Sequence, residues 1–139
     1  MKVLFDINVL MDVFEQRDQH YEASAKVVSL GVQKRLDALI PGHAPTTIHY
    51  LITRFVGRDK ANECVDWLLA SFQLAPATHE VYLRARRLAF SDFEDAVVAA
   101  MAESEHCEFI VTRNIMDFSQ SPVRVMTPAQ LLELVIASG

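Results

Sequence analysis

Glycine, cysteine and lysine are all scarce in this sequence, and each shortage removes a class of protein. There are four glycines among 139 residues. None lies in the turn after the first apolar run, so no Gly-rich loop is available there to cradle a dinucleotide. The two cysteines, Cys64 and Cys107, stand far apart with no second Cys or metal-spaced His beside either. That pattern excludes a disulfide scaffold and predicts reduced, mostly buried thiols in a cytoplasmic protein. The four lysines are Lys2, Lys26, Lys34 and Lys60, so the second half of the chain lacks the lysine that aspartyl-phosphate chemistry would use. Asn8 also stands where such a phosphatase would carry a second aspartate. No apolar run approaches the about 20 residues a membrane span requires. The first apolar run meets Asp6 at once, which predicts a strand rather than a secretory signal. Positive charge is short as well: thirteen Lys plus Arg face eighteen Asp plus Glu, a net charge of −5. A chain this acidic does not hold nucleic acid by general attraction, and a bound divalent cation is the obvious means of bringing phosphates in.

What is present is an apolar majority, 51% of residues, which predicts one packed domain over residues 1–139 burying roughly 70% of its unfolded surface. Strands are expected at Lys2–Phe5, Asp37–Pro41, 72–75 and 108–112, with a weaker one at 123–126. Helical spacing fills the intervals: a stretch from Asp6 or Asn8 through Asp12 and Phe14, residues 19–34, a helix capped by Thr46 or Thr47, Arg58–Ser71, 78–90 and 92–105. A last helix opens at Thr127-Pro128. Strands alternating with helices predict an α/β fold with a parallel sheet covered on both faces. Ligands then gather beyond the carboxyl ends of the strands, after Phe5, Pro41, Ala75 and Val111.

Two of those places carry conspicuous side chains. Asp6 ends an apolar strand, where it serves either as a helix cap or as a rim carboxylate. Asp12, six residues on, reads as an exposed surface acid. Thr112-Arg113-Asn114-Ile115-Met116-Asp117-Phe118 follows the fourth strand, and Asn114 and Asp117 can both project over the rim that carries Asp6. Elsewhere, Ser91-Asp92-Phe93-Glu94-Asp95 opens a helix whose core stripe is expected to be Phe93, Val97, Ala100 and Met101. Asp92 and Asp95 are about 60° apart around the axis and share a side, with Asp95 beside small alanines that permit close approach to the sheet. Helix-dipole and turn chemistry account for one or two of these acids. Oxygen ligands on separate strand ends suit Mg²⁺ or Mn²⁺, hard cations that activate water and offset charge on a phosphodiester. Arg84, Arg86 and Arg87 form the most basic local cluster and read first as a solvated helix face, with RNA guidance as the alternative.

Three segments together, residues 2–10 (KVLFDINVL), 92–96 (DFEDA) and 111–118 (VTRNIMDF), resemble the PIN-domain ribonucleases, and among them the small bacterial forms related to VapC-type toxins. The resemblance implies a three-layer α/β/α sandwich around a central parallel sheet and a magnesium- or manganese-dependent endoribonuclease in the cytoplasm. It implies an RNA substrate, a homodimer, and a small antitoxin protein as partner where the chain is a toxin. It places family acids on Asp6 and Asp95, with the fourth on Asn114 or Asp117 and Asp92 assisting from the edge. Arg113 is a candidate phosphate contact. The chain departs from the family pattern in the helix after the second strand: no acid occurs between Asp37 and Asp59, and Thr47 or His49 takes the place of the usual Glu. Loss of that acid leaves a second reading, a PIN-like module that binds RNA or protein without cutting.

Overall fold

In a computed structural model, described for residues 1–17 and 19–138, β1 (Lys2–Phe5) is the central strand of a sheet ordered β3-β2-β1-β4-β5. The other strands are β2 (Asp37–Pro41), β3 (Gln73–Ala75), β4 (Phe109–Val111) and β5 (Arg124–Met126), and every pairing is parallel. Val3, Leu4 and Phe5 are fully buried because a central parallel strand is covered on both faces, which is why β1 reads as an unbroken apolar run.

Successive strand side chains point to opposite faces and divide the core in two. Val3, Phe5, Ile40, Phe109 and Val111 pack with α1 (Ile7–Glu15), α2 (Tyr21–Val32), α3 (Ala44–Phe55), α4 (Arg58–Ser71) and α7 (Pro128–Ser138). Leu4, Leu39 and Ile110 pack with α5 (His79–Arg87) and α6 (Phe93–Ser104) on the other side. The result is the expected three-layer α/β/α sandwich. Helix α6 is buried continuously from Ala96 to Ala102, and its four alanines there let the axis lie close to the sheet. None of the described helices is long and apolar enough to cross a membrane.

Helix α3 starts at Ala44, earlier than a cap at Thr46 or Thr47 would have it, and His43 occupies the cap position without a side-chain bond. Pro45 accounts for the difference: its fixed φ suits a first helical turn and its missing N–H is no loss there. Gly42 precedes it, and a Cβ at that position would lie 2.7 Å from the Ala75 carbonyl oxygen, so the β2–α3 turn is pressed against β3. Phe93, expected in the core stripe of α6, is instead 47% exposed at the first position of that helix, while Val97, Ala100 and Met101 are buried as expected.

Candidate active site

Asp6 is held by the two chain segments that meet at the carboxyl end of the sheet. Its backbone N–H donates to the Val111 carbonyl at 2.9 Å, extending the β1–β4 ladder by one rung. Its Oδ1 accepts from the Ile7 N–H at 2.8 Å, while its Oδ2 accepts from the Thr112 hydroxyl at 2.9 Å and from Asn8 Nδ2 at 3.3 Å. The Thr112 hydroxyl in turn accepts from Asn8 Nδ2 at 3.1 Å and from the Asn114 N–H at 3.2 Å. Asn8 Oδ1 accepts from the Arg113 N–H at 3.3 Å, so the start of α1 and the loop after β4 are zipped together around one carboxylate. Asp6 is only 7% exposed. Burial pushes its carboxyl above the usual range, against the opposing pull of the Thr112 and Ile7 bonds.

Asp95 lies on the first turn of α6, where the Asp92 carboxylate accepts from the Asp95 N–H at 3.1 Å and caps the helix. Its carboxyl is pushed up to about 7, first by burial and then by the charges of Asp6, Asp92, Asp117 and Glu94. Every charge acting on it is of its own sign. Asp92, Asp95 and Asp117 share a cavity of about 270 Å³ with Phe90, Met116 and Gln120 on its walls. Asp117 lies in the 3-10 helix Ile115–Phe118, whose Phe118 plugs into the core against Phe90 and so fixes the turn that carries the acid. Glu94 faces His43, with its Oε1 3.5 Å from Nε2. Carboxylates from β1, α6 and the segment after β4 therefore converge at one end of the sheet.

That convergence coincides with a family-level match. The family model of the PIN domain matches residues 2–116. The chain belongs to the PIN-domain family. Ribonuclease VapC1 of Aquifex aeolicus (strain VF5) is 26% identical to it over 137 residues, covering 95% of this chain and 94% of the relative. Among solved structures, VapBC2 from Rickettsia felis bound to a promoter DNA fragment superposes with a TM-score of 0.72 at 15% identity, over 91% of this chain and 98% of the other. VapC20 of Mycobacterium tuberculosis, described as a sarcin-ricin loop cleaving toxin, superposes with a TM-score of 0.62 at 13% identity, over 78% of this chain and 86% of the other. At such identities these structures speak for the PIN fold.

Within this PIN fold the residues singled out from the sequence part into two groups. Asp6, Asp92, Asp95 and Asp117 come together. Asn114 caps the 3-10 helix and is bound through its backbone, so of the Asn114/Asp117 pair it is Asp117 that lines the acidic cavity. His49 faces elsewhere: its Nε2 meets Asn62 of α4 at 2.9 Å, and it lines a separate cavity between α3 and α4. Thr47 lies one turn beyond His43 on α3 and shares its side of the helix. Arg113 does not point outward for a phosphate; its Nε lies 3.0 Å from Oδ2 of Asp12. Asp12 is not a surface acid at all but fully buried, accepting from the Ser24 hydroxyl at 2.9 Å with Arg17 3.5 Å away. Arg84 is taken up by Glu103, at 2.7 and 3.1 Å, which leaves Arg86 and Arg87 exposed on α5.

Thr112, Asn8, His43 and Glu94 escaped the sequence reading. A signal existed for two of them: Thr112 is a hydroxyl ending an apolar strand, and His43 follows the carboxyl end of β2, one of the four places where ligands were to be sought. The donor set suits a hard cation. Asp6 accepts three hydrogen bonds, two on Oδ2 and one on Oδ1, which leaves one lone pair on Oδ1. Asp95 sits among uncompensated carboxylates. Asp6 and Asp95 would suit a cation that keeps most of its water and binds through one or two carboxylates, as Mg²⁺ does; among the described residues no three His, Cys, Asp or Glu side chains stand at metal-ligand spacing.

Proposed function

We propose that this PIN protein is a metal-dependent endoribonuclease that hydrolyses RNA phosphodiester bonds, acting as the toxin of a toxin–antitoxin pair. The observation that carries the reading is the gathering of Asp6, Asp92, Asp95 and Asp117 at the end of the sheet, where burial first, and then the neighbouring carboxylates, push the Asp95 carboxyl to about 7. Asp6 and Asp95 would hold Mg²⁺ or Mn²⁺, with Asp117 and Asp92 placed to orient water at the edge. When bound, such an ion lowers the pKa of water and offsets the charge that develops on the phosphodiester. Thr112 and Asn8 keep the Asp6 carboxylate in one orientation, so no reorganisation is required as the substrate arrives. The ribonuclease name of the Aquifex relative supports the activity. The VapBC complex among the solved neighbours supports a small antitoxin as partner, and a homodimer belongs to the same reading; a monomer at micromolar concentration by light scattering removes it.

A second reading, a PIN module that binds without cutting, is favoured by one feature. The side of α3 nearest the site carries His43 and Thr47 and no acid. The test is cleavage of a mixed RNA pool in Mn²⁺ or in EDTA. Wild-type protein cuts only with metal, Asp6→Asn and Asp95→Asn do not cut, and Asp59→Asn, an exposed acid on α4, behaves as wild type. Cutting that survives EDTA or persists in Asp6→Asn overturns the mechanism, and no cutting across several RNA pools and metals establishes the binding module.

A further inference from the structure

Beside the acids lies a second cavity, of about 290 Å³, lined by His43, Tyr82, Phe93, Glu94 and Val97. It shares helix α6 with the acidic cavity: Phe93 and Glu94 stand between Asp92 and Asp95, so one helical turn serves both. Its walls are unusual for a surface. Tyr82 is 42% and Phe93 47% exposed, and their rings lie 6.2 Å apart at 33°. Two large aromatic side chains are thus left partly in water where α5 and α6 meet, although α6 buries every residue from Ala96 to Ala102. Packing within the chain buries Val97 and pairs the two rings with each other, and leaves nearly half of each aromatic residue open to solvent.

We propose that this cavity receives one unpaired nucleobase of the RNA substrate next to the cleaved phosphodiester. The inference rests on the nuclease reading of the adjoining acids and adds to it a site for base selection. Three features favour a base over other occupants. The volume lies at the lower end of ligand sites, about 300 Å³, enough for a flat ring system and too small for a docked helix. The exposed aromatic pair provides the stacking surface on which proteins hold splayed single-stranded bases. The rim offers base-edge chemistry: the exposed Glu94 carboxylate accepts N–H bonds, and the buried Nε2 of His43, 3.5 Å from it, has no hydrogen-bond partner of its own among the described residues. Guanine presents two adjacent donors on its Watson–Crick edge and matches a carboxylate best, whereas uracil presents one donor between two acceptors. Arg86 stands one turn beyond Tyr82 on the same side of α5, exposed and free for the phosphate that follows the base.

The test uses the full chain carrying Asp6→Asn, so that RNA is bound and not cut, and a short single-stranded oligoribonucleotide containing fluorescent 2-aminopurine. Stacking on the aromatic pair quenches the probe; Phe93→Leu and Tyr82→Leu, both at exposed positions, weaken the quenching interaction about fivefold or more, while Glu133→Gln on α7 leaves it unchanged. Unlabelled trinucleotides compete in an order led by the guanine-containing one, and Glu94→Gln removes that order without removing the quench. Quenching that is absent, or equal in all variants, overturns the proposal. So does a wild-type dimer that Phe93→Leu converts to a monomer in sedimentation, since the aromatic pair then faces a second copy of the chain. Cleavage assays on the Asp6-intact proteins separate the two claims. A protein that does not cut but shows Phe93-dependent quenching retains the base site and loses the nuclease reading. A protein that cuts equally well with or without Phe93 and shows no quench loses the base site alone.

Discussion

Asp95 shows how much of a site can be read from single residues. An acid beside alanines at the start of a helix was visible in the sequence; that every charge acting on it would be of its own sign was not. Its carboxyl sits at about 7 against an ordinary 3.8, which has a definite sign for stability. Between those values the folded protein holds a proton that the unfolded chain has released, so stability is greatest at the acid end and falls as pH rises through the window. In EDTA the protein should melt at a higher temperature at about pH 5 than at about pH 8. Asp95→Asn should raise the pH 8 value and flatten the difference, leaving a remnant from Asp6, whose shift has the same sign. Circular-dichroism melts across that range check it, and an undiminished slope in Asp95→Asn contradicts the assignment. Asp12 is the converse lesson. Its six-residue distance from Asp6 said nothing about burial, because the partners that make burial possible are Ser24 on α2 and Arg113 beyond β4.

Elements were most legible where their own residues settle them. Lys2–Phe5, Asp37–Pro41 and Arg58–Ser71 have the boundaries that apolar runs and punctuation suggest. Helix α3 was misplaced at its start because threonine capping and proline at the first turn are competing signals, and Pro45 prevailed. Phe93 was misassigned because helical periodicity does not tell whether a neighbouring helix covers the first turn. The Asp12–Arg113 pair makes a testable statement at this scale, since it ties α1 to the loop that carries Thr112 and Asp117. The contact lacks the alignment of a hydrogen bond, and Arg113 shares the fully buried Asp12 carboxylate with Arg17, 3.5 Å from Oδ1. Because Arg17 remains, Arg113→Gln should destabilise by about 1–2 kcal/mol, below the range for leaving a buried charge unpaired. Arg113→Gln with Asp12→Asn should lose less than the sum of the two single changes. Urea denaturation of the four proteins measures the coupling; strict additivity shows that the pair does not act as a unit.

At the scale of the molecule the sequence predicted the layers correctly, since alternating strands and helices have few compact solutions. It also singled out Asp6, Asp92, Asp95 and the Asn114/Asp117 pair, of which Asp6, Asp92, Asp95 and Asp117 meet, but not the strand order β3-β2-β1-β4-β5 that brings them together. A protein of net charge −5 that gathers its acids at one end should gain stability from a divalent ion placed there. At ten times the dissociation constant the gain is about 1.4 kcal/mol, roughly 4 °C in melting temperature for a chain of this size. Scanning fluorimetry with Mg²⁺ should show that rise in wild type and its loss in the Asp6→Asn/Asp95→Asn double variant. An equal rise in both places the ion elsewhere. The sheet order also bears on how the protein folds. Val3 of the strand that ends in Asp6 pairs with Phe109 of β4, and the acid at Asp117 lies farther still along the sequence. Long-range parallel pairing of this kind forms late. Until β4 docks, the acidic site is therefore unassembled and the central strand stays open on one side.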